Sequence, residues 1–362
     1  MTERTAKPRC LRLDLWPEAD RTAWEQNQAP GNIFRTRAAP PPWSDSTIRK
    51  ARKSYGVWLA FQMDQDDWDP TEAPAARVIV PRLRALYWFL RDAGNSPITI
   101  TGRFDDIRRA LRLIAPERDW CFVRRPDGDA IRTLQPQTPR PKPLPPDAGV
   151  LADWACQMMD EAMAGPDGME QWLRYRDGLF MAMLAWRARR LRSMSLLRPG
   201  YELRSGPEGF RIELTGDQVK TRRPDRFDLP DALTPYIRHY LAVVRPALLA
   251  GGTDTALWIS RHGRKLSAKS LSERVRKWTG DRFGKAFGPH RFRHALSTTA
   301  VLTAPDDPML APSLLGISEA VVQRHYNLAK QVSAANTFAN LIAERRERYA
   351  AGLPPQSQRW EV

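Results

Sequence analysis

The chain has 362 residues, which is enough for two domains with hydrophobic cores of their own. Its 57 lysines and arginines against 41 aspartates and glutamates give a net charge of +16, which favours a polyanion such as nucleic acid as the partner. No apolar run could span a membrane and no signal-peptide core is visible, while three scattered cysteines argue against a disulfide framework or a metal knuckle. We therefore expect a cytoplasmic protein associated with the nucleoid.

The first 42 residues are polar and basic and end in three consecutive prolines. Because no apolar periodicity holds them together, the sequence predicts an unpacked basic N-terminal arm over 1–42 that is mobile or lies across a partner.

A small helical domain is predicted over 43–123. One helix begins after Ser44-Asp45-Ser46, which can cap it, a second begins near Pro81 and ends at Gly94, and a third runs from about Phe104 to Ile114. In each helix the apolar residues share one face and the basic residues lie on the others. The basic side chains that we expect to contact DNA are Arg49, Lys50, Arg52, Lys53, Arg108 and Arg109.

Seven prolines lie within 124–147, interspersed with basic residues. Proline at this density does not continue a helix or a central strand, so the segment is predicted to be an extended linker. Two interpretations stay open, because such a linker either lets the protein wrap around its ligand or acts as a plain spacer.

From residue 148 onward the pattern is mainly helical. Strands are predicted at 202–206, 209–215 and 226–229, with a fourth candidate at 256–259. The fold class predicted for the whole chain is mainly α, with a small antiparallel β-sheet in the second domain.

Three motifs in the second domain could carry chemistry. His290, Arg293 and His294 share one face of a predicted helix, and an isolated tyrosine follows at Tyr326. A stretch with five arginines spans 187–198, and Lys220 lies between two predicted strands. Guanidinium groups suit a phosphate, a lysine can protonate a leaving oxygen, and a phenol can attack phosphorus. Each motif alone also fits a basic DNA-binding surface, and the histidine pair alone could bind zinc, although no third ligand is evident nearby.

Taken in order, the motifs resemble the tyrosine recombinase (phage integrase) family over about residues 44–345. The resemblance rests on an arginine that opens Arg-x-x-Ser-Met-x-x-Leu, a hairpin lysine, His-x-x-Arg-His, and Leu-Leu-Gly with a tyrosine ten residues after the glycine. It implies a core-binding domain at 43–123, a catalytic domain at 148–330, and a C-terminal helix and tail at 331–362. The apolar face of that helix could dock onto another protomer or pack within its own domain, and we favour docking.

The resemblance also implies a role for each matching residue. Tyr326 would attack DNA and form a 3′-phosphotyrosine link, while Arg190 and Arg293 would hold the scissile phosphate. Lys220 would protonate the leaving 5′-oxygen, and His290 would orient the phosphate and assist proton transfer. Cutting and rejoining would then need neither a metal, nor another cofactor, nor ATP. Two further basic residues near these motifs, Arg222 and Arg291, are expected to contact DNA.

Three points qualify the match. The first arginine has two neighbours, Arg187 and Arg189, that also fit its position, and an acidic residue usual in the family is replaced by Ser193. His294 is expected to support the site. Ile317 occupies a position where the family usually has His or Trp, so one hydrogen-bond donor to the phosphate is missing there.

The resemblance implies a site-specific DNA recombinase or integrase of a mobile element. It would act on double-stranded DNA as a homotetramer that binds two DNA sites. Other recombinases or DNA-bending proteins are further candidate partners, and no association with a membrane is expected. The alternatives are an accessory DNA-binding recombinase with weakened catalysis and a type IB topoisomerase.

Overall fold

The structure of the chain is a computed structural model. The structure describes residues 9–26, 43–126, 128–133, 146–219, 222–304, 307, 309–315, 342–344 and 346–347. The chain divides into two compact units, Met1–Pro141 and Lys142–Val362.

The first unit is helical. Its helices are α1 (Glu18–Gln26), α2 (Asp45–Gln62), α3 (Val80–Asp92) and α4 (Pro97–Ile114). The apolar faces predicted for α2, α3 and α4 form its core, in which Tyr55, Trp58, Leu83, Leu86, Ile107 and Leu111 are fully or almost fully buried.

Helix α4 begins at Pro97 and not near Phe104 as predicted. The Ser96 side chain accepts a hydrogen bond from the Thr99 main-chain nitrogen at 3.3 Å, and Pro97 occupies the first turn, where its missing N–H costs nothing. Ile100 is buried, so packing draws this β-branched stretch into the helix.

The prediction of an unpacked arm over 1–42 is wrong for the part that the structure describes. Leu11, Trp16 and Trp24 are buried in the core of the first unit. Asp20 is fully buried and accepts hydrogen bonds of 2.6 Å from the Tyr55 hydroxyl and from Arg77 Nη1. A few large side chains and one buried carboxylate therefore fix a segment whose composition is mostly polar.

The predicted linker also begins too early. Ile131 is buried in the core of the first unit, and its main-chain nitrogen donates to the oxygen of Arg124 at 3.0 Å. The chain thus still packs on the first unit several residues past 124.

The second unit opens with three helices, α5 (Ala148–Ala164), α6 (Met169–Trp186) and α7 (Leu191–Ser195). Three strands follow, β1 (Leu203–Gly206), β2 (Gly209–Leu214) and β3 (Asp225–Asp228). They form an antiparallel sheet in the order β1-β2-β3, in which Ile212 pairs with Leu203 on one side and with Phe227 on the other. These three side chains are buried against the helices.

The fourth candidate strand, 256–259, does not join this sheet. It is a buried segment that bends at 257 and 258, and its only ladder contact in the described chain is one bridge between Ile259 and Lys265. Two of its hydrogen bonds go to the region of α7: the Leu257 nitrogen donates to the Leu197 oxygen at 2.8 Å, and Trp258 Nε1 donates to the Met194 oxygen at 2.7 Å.

The remaining helices of the second unit are α8 (Thr234–His239), which continues through a π-helical turn (Tyr240–Val244) into α9 (Arg245–Leu249), then α10 (Ala268–Phe283), α11 (His290–Thr303) and α12 (Leu310–Leu315). The mainly α fold with one small antiparallel sheet is therefore confirmed. Of the helices that the structure describes, none has the length and apolar character needed to cross a membrane.

Candidate active site

A pocket of about 670 Å³ lies within the second unit. Four segments that are far apart in the sequence form its wall: the chain that enters α7, one face of α10, the first turns of α11 and the end of α12. Five arginines line it, so its described wall is strongly cationic: Arg189, Arg190, Arg276, Arg291 and Arg293. Such a pocket is suited to bind an anion.

The start of α11 supplies three of the predicted site residues. The helix begins at His290, directly after Pro289, and Phe292 is completely buried on the opposite face. His290, Arg293 and His294 therefore turn toward the pocket, and all three line it. The two imidazole rings meet edge to face with their centroids 4.6 Å apart. The helix N-terminus adds partial positive charge on this side of the pocket.

Arg293 joins three of the four segments. Its Nη1 donates to the main-chain oxygen of Ala188, and its Nη2 donates to that of Leu315 at 3.0 Å. Burial and, after it, the charges of Arg190 and Arg189 together lower the pKa of Arg293 to about 10, while Asp225 acts in the opposite direction. The protein thus holds an excess of positive charge here, and a bound anion would relieve it.

The three candidates for the first arginine have different surroundings. Arg187 follows the end of α6, and its guanidinium carbon lies 5.9 Å from the Phe227 ring centroid. Arg189 is buried and donates through Nη2 to Asp225 Oδ1 at 2.9 Å. Arg190 precedes α7 with an extended backbone and is half-buried in the pocket wall. Arg189 and Arg190 line the pocket, whereas Arg187 is not among its described lining residues.

Ser193, which replaces the acidic residue usual in the family, has a defined contact. Its hydroxyl donates to the Gln218 main-chain oxygen at 3.0 Å. The Gln218 side chain donates to Glu202 Oε1 at 2.8 Å, and Arg198 Nη2 donates to the same carboxylate oxygen at 2.6 Å. Hydrogen bonds therefore hold the chain between β2 and β3 up to the residues just before Lys220.

Lys220, Ile317 and Tyr326 lie outside the described residues, so their roles remain predictions. The residues that precede two of them are described. Val219, directly before Lys220, packs against the core of the second unit, and Leu315, two positions before Ile317, lines the pocket.

The candidate DNA contacts are dispersed. On α2 of the first unit, Arg49, Lys50, Arg52 and Lys53 are exposed. On α4, Arg108 Nη2 lies 3.5 Å from Cys121 Sγ and Arg109 pairs with Asp106, so neither projects freely. In the second unit Arg291 lines the pocket, whereas Arg222 is exposed with a positive φ of 55° and is not among the lining residues.

Sequence reasoning missed Ser272 and Arg276, which line the pocket from α10. They lie four positions apart on one face of a helix, and the only signal in the sequence was this spacing. These two side chains reach the pocket because α10 packs closely against the segment before α11. A Cβ added at Gly288 would lie 3.6 Å from Ser272 Oγ. Around the histidine pair, no group of three metal-binding side chains exists in the described part of the chain.

No protein-family model matches the chain. The tyrosine recombinase XerC of Alcanivorax borkumensis is 28% identical over 258 residues, which cover 70% of this chain and 76% of that protein.

Two solved structures are similar along most of their length. The XerH site-specific recombinase bound to palindromic difH substrate in a post-cleavage complex has a TM-score of 0.57 at 13% identity, over 92% of this chain and 97% of that one. The Tn1549 transposon integrase in complex with a circular intermediate DNA has a TM-score of 0.54 at 12% identity, over 85% of this chain and 94% of that one. At these identities the likeness shows a shared fold.

Proposed function

We propose that this chain, which belongs to the tyrosine recombinase family, is a site-specific DNA recombinase or integrase that cuts and rejoins strands through a 3′-phosphotyrosine intermediate. One observation carries the proposal: Arg190, His290 and Arg293, predicted from separate motifs, line a single cationic pocket. A phosphodiester in this pocket would contact guanidinium groups from two sides, and guanidinium forks match the geometry of phosphate oxygens.

In the reaction, Tyr326 attacks the scissile phosphorus, and its phenolic proton passes to His290, to which the resemblance assigns proton transfer. A free phenol has a pKa of about 10, so it is a weak nucleophile at neutral pH unless cations stabilise the phenolate and the developing charge. Arg190 and Arg293 would supply that stabilisation. The bond from phosphorus to the 5′-oxygen breaks, and Lys220 gives that oxygen a proton.

Rejoining is the reverse step. A 5′-hydroxyl of the same or another strand attacks the phosphotyrosine and gives its proton to Lys220. The bond from phosphorus to the Tyr326 oxygen breaks, and that oxygen takes a proton from His290. The tyrosine ester keeps the free energy of the original phosphodiester, so rejoining consumes no nucleotide. Exchange between two DNA sites requires several protomers, and we expect a homotetramer on two sites of a mobile element.

The decisive experiment traps the covalent intermediate. The full chain is incubated with nicked duplexes from the flanks of its own gene, where loss of a short strand after cleavage prevents rejoining. We expect an adduct that resists denaturation, with the DNA attached to the peptide that contains Tyr326. Tyr326→Phe should bind the same DNA and form no adduct.

Each alternative gives its own result. DNA binding without any adduct from the unsubstituted chain would contradict the proposal and favour an accessory protein, whereas site-independent relaxation of supercoiled DNA would favour a topoisomerase.

A separate substitution, Ile317→His, tests the effect of the missing hydrogen-bond donor, because one donor to a transition-state oxyanion is worth about 10²–10³ in rate. A large gain in the rate of adduct formation by Ile317→His would indicate that catalysis by the natural chain is weakened. A natural rate that is already high and does not change in Ile317→His would exclude weakened catalysis.

A further inference from the structure

Arg189 has a different environment from Arg190, although both line the pocket. Its relative exposure is 7%, so more than nine-tenths of it is buried, while Arg190 is half-buried. An arginine cannot shed its charge at neutral pH, and burial of a guanidinium is unfavourable unless its donors are satisfied.

The partners of Arg189 satisfy only part of this requirement. Its Nη2 donates to Asp225 Oδ1 at 2.9 Å, and its guanidinium carbon lies 4.6 Å from the ring centroid of Phe227. Its Nε and Nη1 are buried without a hydrogen-bond partner among the described residues. Asp225 and Phe227 both belong to β3, so Arg189 connects the sheet to the segment that enters α7.

That segment also fixes the second arginine of the site. The main-chain oxygen of Ala188, adjacent to Arg189, accepts the hydrogen bond from Arg293 Nη1. The position of the Ala188–Arg190 segment therefore determines where Arg190 projects and how Arg293 is held. The charge of Arg189 also reaches Arg293, because it contributes to the lowered pKa of Arg293 after burial and Arg190.

We infer that Arg189, fixed by Asp225 and Phe227, is a positioning residue of the pocket that orients Arg190 and Arg293 toward one phosphate and strengthens its binding by added positive charge. The inference deepens the proposed function and rests on it for the identity of the anion. The position directly before the first arginine thus becomes part of the site in this chain.

The test uses the full chain and inorganic phosphate. The chain has five histidines, so imidazole NMR signals are few and phosphate binding can be followed at His290 and His294. We expect Arg189→Ala to bind phosphate about tenfold more weakly than the natural chain, as for loss of a charge-assisted contact. Arg192→Ala, the matched control, removes the same charge from an exposed neighbour on α7 and should change phosphate affinity about twofold at most.

Chemical rescue of phosphate binding distinguishes a positioning and charge role of Arg189 from a role in supporting the fold alone. Guanidinium ion at millimolar concentration should restore phosphate affinity in Arg189→Ala and leave Arg192→Ala unchanged, because it can occupy the vacated space beside Asp225. Arg189→Lys should fall between the natural chain and Arg189→Ala, since an ammonium keeps the charge but lacks the planar fork. If Arg189→Ala does not fold, Arg189→Lys is the deciding variant, because it keeps the positive charge and loses the planar fork that binds Asp225, and it should weaken phosphate binding in the same direction.

Two results would overturn the inference. The first is that the His290 and His294 signals of the natural chain do not change when phosphate is added. The second is that folded Arg189→Ala, or Arg189→Lys in its place, binds phosphate with unchanged affinity. Failure of the proposed function has a different outcome, in which phosphate binds and depends on Arg189 but Tyr326 forms no adduct with DNA. Where the adduct does form, Arg189→Ala should slow its formation at saturating DNA by about 100-fold, the effect expected of a misplaced reacting group.

Discussion

The guanidinium of Arg293 donates a hydrogen bond to the main-chain oxygen of Ala188, 105 positions earlier in the chain. Its other terminal nitrogen donates to the oxygen of Leu315, 22 positions later. One side chain therefore joins the entrance of α7, helix α11 and the end of α12 around the pocket.

We predict that Arg293→Lys loses most of its activity while the protein stays folded. A lysine ammonium is a compact charge and cannot span both carbonyl oxygens and a phosphate as the planar fork does. Adduct formation at saturating DNA should fall by about 10²–10³, and the free energy of unfolding should fall by only about 1–2 kcal/mol for the lost hydrogen bonds. Single-turnover adduct assays and denaturant unfolding measure the two effects.

The control for this substitution is Arg282→Lys, at an exposed position near the end of α10. It should leave both measurements unchanged. An Arg293→Lys variant that forms adduct at the natural rate would contradict the view that the fork of Arg293 organises the pocket.

A second prediction concerns Glu202, which holds the connection between β2 and β3. Burial by itself would raise its pKa, but the hydrogen bonds from Arg198 and Gln218 outweigh burial, and the pKa lies below its ordinary 4.5. A carboxylate with a lowered folded-state pKa stabilises the fold above its unfolded pKa, and the stabilisation is lost as pH falls through the folded value. The natural chain should therefore exceed Glu202→Gln in stability at neutral pH, and the difference should shrink below pH 4.5.

Denaturant unfolding of both proteins at several pH values checks this. Glu208→Gln, in the exposed turn between β1 and β2, is the control and should show no such pH-dependent difference. Glu202→Gln should also slow adduct formation if the β2–β3 connection positions Lys220. A stability difference that persists unchanged into acid would show that the carboxylate charge of Glu202 is not what matters.

The sequence predicted best where local patterns decide the structure. Apolar spacing gave α2 and α3, and the Ser44 side chain accepts from the Thr47 nitrogen at the start of α2 as a capping residue should. The gathering of Arg190, His290 and Arg293 in one pocket was expected only from the family resemblance, because no local pattern connects the entrance of α7 with α11.

What could not be predicted depends on partners far away in the chain. Asp20 resembles any surface carboxylate until Arg77, 57 positions later, meets it in the core. Which of the arginines before α7 is held in an ion pair depends on Asp225, which pairs with Arg189 across 36 positions. Neither spacing nor composition encodes such pairs.

A third prediction tests the packing of the N-terminal segment on α2. The Leu11 main-chain nitrogen donates to the Gly56 oxygen at 2.9 Å, and a Cβ at position 56 would overlap the main-chain oxygen of Leu11. Gly56→Ala should therefore destabilise the first unit by about 1–3 kcal/mol, as overpacking does. Gly102→Ala is the control: Gly102 lies within α4 with nothing near its added Cβ, so the change should stabilise by about 0.5–1 kcal/mol. Equal effects of the two substitutions on denaturant unfolding would refute the close packing of this segment.

A fourth prediction concerns the buried ion pair that holds the same segment. Asp20 and Arg77 have side-chain exposures of 0% and 1%, and Asp20 also accepts from the Tyr55 hydroxyl. Asp20→Asn leaves the guanidinium buried without a counter-charge and should cost about 3–5 kcal/mol. Replacing both partners, with Asp20→Leu and Arg77→Met, should cost less, because no uncompensated charge then stays in the core.

Tyr55→Phe completes the set for this ion pair. It removes one hydrogen bond to Asp20 and leaves the ion pair intact, so the loss should be about 1–1.5 kcal/mol. Denaturant unfolding of the full chain ranks the three variants. The pair joins α1 to the segment before α3. A double variant as unstable as Asp20→Asn would mean that the ion pair itself stabilises this segment, and that the unpaired charge is not the cause of the loss.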